Sequence, residues 1–424
     1  MFKNTKRIAV FAALVSISLV APIADAQQPN VVVQWNQIMQ SLYGPGASSF
    51  QRTLAMVNIA MFDAINAIDR TYTPYRVDVN ASRGASEEAA AAQAARDVLT
   101  ALFPGQQSTF DNALAAQLAG IPRGLAQQGV EIGHAVAREI LNWRLNDGWP
   151  PVITPDPNYV LPPLPGLWQP TPPANSFATF TFYPNVLPFA LVSSTQFLPP
   201  PPPTLTSARY AQDLNETKLL GSATSAVRTP EQTLISQLFA GVNTNMGFLH
   251  VWEIVAAGVS QSQHQSLVDT ARTFALLGVG LHDGLQTSLT SKFVYGLWRP
   301  VTAIRQADTD LNPATVADPT WLPLLATPPY PSYAGNAACL SAAAARALQL
   351  AFGRDDIPFS VTWIRTGGLP NVTLSFSSFS DLANQQARSR IYGGIHYQFD
   401  SDASQFVCPK VSEYTYSHFM LQRR

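Results

Sequence analysis

Leu54, Val57, Met61, Ile65 and Ile68 recur at spacings of three and four residues. That period draws one apolar stripe down a helix with a single buried face. Helical patterning covers residues 30–147. Residues 87–102 are rich in Ala, a strong helix former, and Phe103-Pro104-Gly105 breaks the run. Two more helices are predicted, over 107–119 and over 124–145, the second stopped by Asp147-Gly148 and Pro150-Pro151. Residues 149–203 change character. Pro150-Pro151, Pro162-Pro163, Pro172-Pro173 and the run Pro199 to Pro203 are incompatible with helix interiors. Trp168, Phe177, Phe180, Phe182, Tyr183 and Phe189 make the stretch too aromatic for a disordered linker. It reads as an ordered wrap between two helical halves, a candidate roof for a pocket.

Helix returns over 206–305. Thr229-Pro230-Glu231-Gln232 is a helix start, with Thr as cap and Pro at the first helical position. A long helical pattern runs from Gln263 to Thr302, and an Ala-rich helix is predicted over 337–351. Phe359–Trp363 and Val372–Phe376 are β-prone, and Ser378-Phe379-Ser380-Asp381 opens a helix carrying Arg388 and Arg390. Between these lies a polar loop from Asp308 to Thr320. Asp308 and Asp310 suggest calcium, but the Gly and Glu of an EF-hand loop are missing, so a solvated loop is expected. The predicted divisions are a segment 1–26, a helical scaffold 27–148, a Pro- and aromatic-rich connection 149–205, and a helical domain 206–424.

Composition narrows the field. With 46% hydrophobic and 12% charged residues the chain can bury a sizeable core. A net charge of −1 gives no reason to expect nucleic acid or an acidic membrane surface as partner. Lys3, Lys6 and Arg7, an apolar stretch from Ile8 to Val20, and Ala24-Asp25-Ala26 together form a signal-peptide pattern. It predicts a mature start at Gln27 and an exported, periplasmic or secreted protein that is not membrane-embedded. Export would place Cys339 and Cys408 in an oxidising compartment. Sequence leaves open whether they pair or whether Cys339 is a buried thiol.

The chemistry concentrates in residues 292–400. Lys292 and Arg299 are spaced K-x6-R, two helical turns, and so are expected on one face. Two cations on one face need an anion between them, and the Arg fork matches a tetrahedral oxyanion. Pro300 is expected to end that helix. Further on, Ser389-Arg390 leads to His396 and Asp400, spaced H-x3-D. This lets the carboxylate hold the imidazole in its Nδ1–H form and free Nε2 for nucleophilic attack or metal coordination. Gly393-Gly394 is read as allowing close approach to a ligand.

The combined pattern K-x6-R-P … S-R-x5-H-x3-D resembles the vanadium-dependent haloperoxidases and their relatives, the soluble and phosphatidic-acid-type (PAP2) acid phosphatases. The resemblance implies an all-α fold of two packed helical bundles. It also implies vanadate, or phosphate in the same pocket, held by Lys292, Arg299 and Arg390 with His396 bonded to its centre and Asp400 as orienter. Peroxide with a halide or organic substrate, and a homodimer, belong to the same expectation. Relatives commonly read P-x-Y-P-S-G-H-A where this chain reads Pro331-Ser332-Tyr333-Ala334-Gly335-Asn336-Ala337-Ala338. A gap-free alignment puts Gly335 at the Ser, Asn336 at the Gly and Ala337 at the His. A shifted one uses Pro331-Ser332 but still supplies no histidine. That histidine is the family's acid–base group, a contribution of about 10²–10⁴-fold. His282 and His250 are possible substitutes, each with a structural role as the simpler reading. Gly335 and Asn336 still offer backbone N–H groups to an anion at a helix start, with Asn336 as the expected cap. Haloperoxidase, acid phosphatase with a His396 nucleophile, and non-catalytic oxyanion binder all remain open at this point.

Overall fold

The computed structural model of the chain describes residues 28–44 and 49–423. The predicted signal segment lies outside them. Helix α1, Val31–Ser41, starts on Asn30, whose side chain accepts the Val33 N–H. Helix α2, Phe50–Asp69, is buried over almost its whole length. Its Asp63 accepts the backbone N–H groups of Tyr75, Arg76 and Val77 and so shapes the turn that follows. Helices α3 (Glu87–Leu102), α4 (Gln107–Leu118) and α5 (Arg123–Arg144) complete the first half. Gly129 and Gly133 let α5 lie directly on the Ala-rich α3, where an added Cβ would meet Ser86 O at 2.4 Å and Ala90 O at 2.5 Å.

In the second half, α6 (Ala208–Leu220), α7 (Pro230–Ala240) and α8 (Val251–Ser262) precede the central α9, Leu267–Tyr295. The predicted Thr229 capping box forms at α7. Helix α9 is buried on nearly every side because α2, α11 (Asn336–Phe352) and α13 (Gln398–His418) all pack on it. One apolar core therefore runs from Val31 through both halves to Met420. The disulfide Cys339–Cys408 ties α11 to α13 with Cα atoms 5.3 Å apart, deciding between the two readings of Cys339. The β-prone segments form an antiparallel hairpin, β1 (Phe359–Trp363) with β2 (Val372–Phe376), ahead of α12, Phe379–Tyr392. No helix of the described residues is long and apolar enough to cross a membrane.

The long pattern ending at Thr302 is two helices, not one. Gly296 takes φ +58 and stops α9 at Tyr295, and its N–H closes on Lys292 O. Pro300 does not end a helix. It occupies the first position of the short α10, Pro300–Arg305. Lys292 and Arg299 consequently sit on different elements.

The Pro- and aromatic-rich connection is ordered, as its composition required. Asp283 on α9 accepts the N–H groups of Phe189, Ala190 and Leu191, and Gln286 donates to Tyr183 O and Val186 O. Trp168 N–H donates to Gly296 O, Trp298 N–H to Gly166 O, and Thr179 N–H to Pro329 O. The wrap thus runs beside the two loops that carry Arg299 and Tyr330.

Candidate oxyanion site

Arg299 precedes α10 in extended conformation and is fully buried. Its Nε donates to Tyr330 O at 2.7 Å and its Nη1 to Ile395 O at 2.9 Å. Nη1 also lies 3.2 Å from His396 Nε2, while Nη2 has no partner. Two carbonyls therefore aim this guanidinium at the imidazole.

His396 stands just before α13, with Asp400 in that helix's first turn. The H-x3-D contact forms across the helix start: Nδ1 is 2.7 Å from Asp400 Oδ2. The same oxygen accepts Ser332 Oγ–H at 2.5 Å and the Tyr397 N–H at 3.3 Å. This places the imidazole proton on Nδ1 and leaves the Nε2 lone pair facing Arg299. Burial, then the charges of Arg299, Lys292 and Arg390, hold His396 well below the usual histidine range, so it stays neutral. Burial raises Asp400 to about 6, against the pull of Lys292 and the Ser332 hydroxyl.

Arg390, in the last turn of α12, is buried with Nη1 unpartnered and with its guanidinium 5.4 Å from the Phe248 ring. Burial lowers it to about 10, and the Arg299 charge acts in the same direction. Lys292 is also fully buried. Its Nζ donates to Ser332 O at 2.5 Å and to Ala334 O, so two of three ammonium protons are spent on the loop before α11. Burial, then Arg299, pushes its pKa well below the ordinary lysine value.

Several expectations from sequence need correction. Gly335, not Asn336, caps α11, and Asn336 turns its Oδ1 to accept from Ser288 Oγ. Gly335 donates its N–H to Asp400 O at 3.1 Å, so that group serves the scaffold, not a ligand. Gly394 takes φ +75 because Gly221 crosses it; an added Cβ would meet Gly221 O at 2.3 Å. The close approach there is chain to chain. Ala337 offers no polar side chain, and its carbonyl accepts from Gln386 Nε2 at 2.9 Å. His282 is buried against Phe189 and bonded to Asp283. His250 packs on Phe50, neither nitrogen has a partner, and burial lowers it to about 4. Both histidines have the surroundings of structural residues. Asp308 is exposed, but Asp310 is buried and closes its own loop through Asn312 N–H and Thr315 Oγ–H. No group of three or more His, Cys, Asp or Glu among the described residues is arranged to hold a metal ion.

Sequence reasoning missed two contributors. Ser332 bonds the orienting carboxylate through its hydroxyl and Lys292 through its carbonyl. Tyr330 covers the cations, its ring centroid 4.9 Å from Arg299 Cζ and 5.5 Å from Lys292 Nζ. The signal was present for Tyr330, a lone aromatic fixed among Pro328, Pro329 and Pro331.

The guanidinium donors of the site left unpartnered are Arg299 Nη2 and Arg390 Nη1, while the His396 Nε2 lone pair accepts from Arg299 Nη1. Two guanidinium N–H donors beside a neutral imidazole nitrogen fit a tetrahedral oxyanion such as vanadate or phosphate, with the imidazole bonding its centre.

Residues 272–423 match the family model described as the VCPO second helical-bundle domain. No curated protein matches the sequence. Among solved structures, a bacterial vanadium-dependent iodoperoxidase superposes with a TM-score of 0.75 at 23% identity, covering 93% of this chain and 97% of that one. The holo-type bacterial vanadium-dependent chloroperoxidase gives 0.72 at 16% identity, covering 92% and 96%. Its apo-type gives 0.74 at 16% identity, covering 93% and 98%. The stretch that carries Lys292, Arg299, Arg390, His396 and Asp400 thus matches the VCPO second helical-bundle domain, and the chain has the fold of the bacterial vanadium-dependent haloperoxidases.

Proposed function

We propose that this is an exported vanadium haloperoxidase-type protein that binds vanadate, or phosphate in the same pocket, and oxidises a halide with peroxide. The observation that carries the reading is the pair of buried, unpartnered donors, Arg299 Nη2 and Arg390 Nη1, in a site with His396. Leaving one such charged donor unsatisfied costs more than the roughly 1–3 kcal/mol of a neutral group, so an anion is the natural partner. When bound, vanadate would supply the Lewis-acidic centre that activates peroxide toward a halide.

The chain's own residues do the rest. Arg299 and Arg390 neutralise the oxyanion's charge. Asp400, with Ser332, keeps the His396 proton on Nδ1 and its Nε2 lone pair toward Arg299 Nη1. Lys292 holds the Ser332–Ala334 backbone in place. No imidazole stands at Ala337, so turnover is expected to be weaker than that of a site with a positioned acid–base group. The signal-peptide pattern and the Cys339–Cys408 disulfide both support export.

Purified protein given orthovanadate, peroxide and bromide should brominate a phenol dye faster than its His396→Ala variant. Equal rates would reject halide oxidation. The His396 tautomer also favours a second reading, an acid phosphatase with Nε2 as nucleophile. That reading predicts turnover of p-nitrophenyl phosphate, whose leaving group needs little protonation. Turnover of alkyl but not aryl esters would contradict it.

A further inference from the structure

Tyr330 is held more firmly than its place in a loop suggests. Pro328, Pro329 and Pro331 restrict the backbone around it. Its own carbonyl accepts from Arg299 Nε, and the Pro329 carbonyl accepts from Thr179 in the wrap. Phe180 meets the ring edge-on at 6.0 Å from outside, while Arg299 and Lys292 lie against it from within. The residue is half-buried. Its ring therefore stands at the rim of the oxyanion site, between the wrap and the cations.

A phenylalanine would satisfy all of those ring contacts. The hydroxyl is what remains to be explained. The ring stands over Arg299, one of the two guanidiniums with an unpartnered N–H group.

We propose, resting on the oxyanion reading of the pocket, that Tyr330 is a ligand-contacting residue whose Oη–H donates to an oxygen of the anion held by Arg299 and Arg390. It gives the site a protic side chain where Ala337 offers none. A phenol donates to an anionic oxygen without adding positive charge to an already cationic site. Its fixed backbone and packed ring leave little freedom to lose on binding.

The test is calorimetric titration with orthovanadate of the wild type, Tyr330→Phe and Arg299→Gln. Tyr330→Phe keeps the ring over the cations and should leave ligand-free melting unchanged. Its vanadate Kd is expected to rise about ten-fold, the usual effect of one hydrogen bond to a charged group. Arg299→Gln should abolish measurable binding. Wild-type affinity in Tyr330→Phe, with binding lost in Arg299→Gln, would overturn the Tyr330 contact and leave the pocket standing. No binding by the wild type would overturn both.

Discussion

His396 Nδ1 lies 2.7 Å from Asp400 Oδ2, and Ser332 Oγ meets the same carboxylate oxygen at 2.5 Å. Both are donors, so the oxygen is saturated by protons pointing at it and the imidazole has one tautomer available. That tautomer is the one with a lone pair on Nε2.

Asp400→Asn should therefore do more than remove a charge. An asparagine amide that presents N–H to Nδ1 would move the imidazole proton to Nε2, where it would face Arg299 Nη1. Orthovanadate affinity is expected to fall about 10–100-fold, as for other groups that orient a ligating histidine. Ser332→Ala, which deletes one hydrogen bond and keeps the carboxylate, should weaken binding far less. Calorimetric Kd values for the two variants check the order; equal losses would contradict the tautomer argument.

Ala337→His restores an imidazole at the position where the family pattern places its acid–base group. The first turn of α11 is fixed by Gln386, which bonds the Ala337 carbonyl and not its side chain, so the backbone contact survives the change. If turnover is limited by the missing group, bromination with saturating orthovanadate should rise about 10²–10⁴-fold. The measurement is initial rate with a phenol dye, alongside a melting curve to show that the variant folds. An unchanged rate in a folded variant would move the limit elsewhere in the site.

What the sequence made legible and what it hid divide along one line. Helix periods, the Thr229 cap, the hairpin and the H-x3-D contact are local, and each formed as read. The basic residues were identified by spacing, yet their placement was not. A K-x6-R spacing reads as one helix face only if the helix continues, and Gly296 at φ +58 ended it. Arg299 then reached His396 from a loop, through carbonyls of Tyr330 and Ile395 that are remote in sequence. The same long-range geometry turned Gly335 toward Asp400 and Lys292 toward Ser332 and Ala334. No local pattern encodes which carbonyl a buried donor will find, and so the contacts of Lys292 to Ser332 O and of Arg299 to Tyr330 O went unread.

The Cys339–Cys408 bridge closes a loop with a sequence separation of 69, for which chain entropy gives an upper figure of about 4 kcal/mol. It also anchors α11 to α13, the helices whose starts hold the Ser332 loop and Asp400. The double variant Cys339→Ala/Cys408→Ala should lose about 2–4 kcal/mol in denaturant unfolding and become insensitive to reductant. Wild type treated with reductant should converge on the variant. A wild type indifferent to reductant during unfolding would show that the bridge is not formed in solution.

His250 provides a pH test independent of the oxyanion site. It is buried against Phe50, its nitrogens have no partners, and burial lowers it to about 4. The unfolded chain has the ordinary value near 6.5. Between these values the unfolded state binds the proton and the folded state does not, so acidification favours unfolding. The contribution is fully present above about 6.5, and it is lost as pH falls toward 4, by at most about 3 kcal/mol. Buried carboxyls act in the opposite sense: Asp63, raised to about 7, and Asp400, raised to about 6, lose stability as pH rises. The His250 effect must therefore be read as a difference. His250→Phe keeps an aromatic ring against Phe50 and removes the titration. Between pH 7 and pH 4.5 the wild type should lose more unfolding free energy than His250→Phe, measured by urea titration at both pH values. Parallel losses would mean that His250 reaches solvent or finds a proton partner in the folded protein.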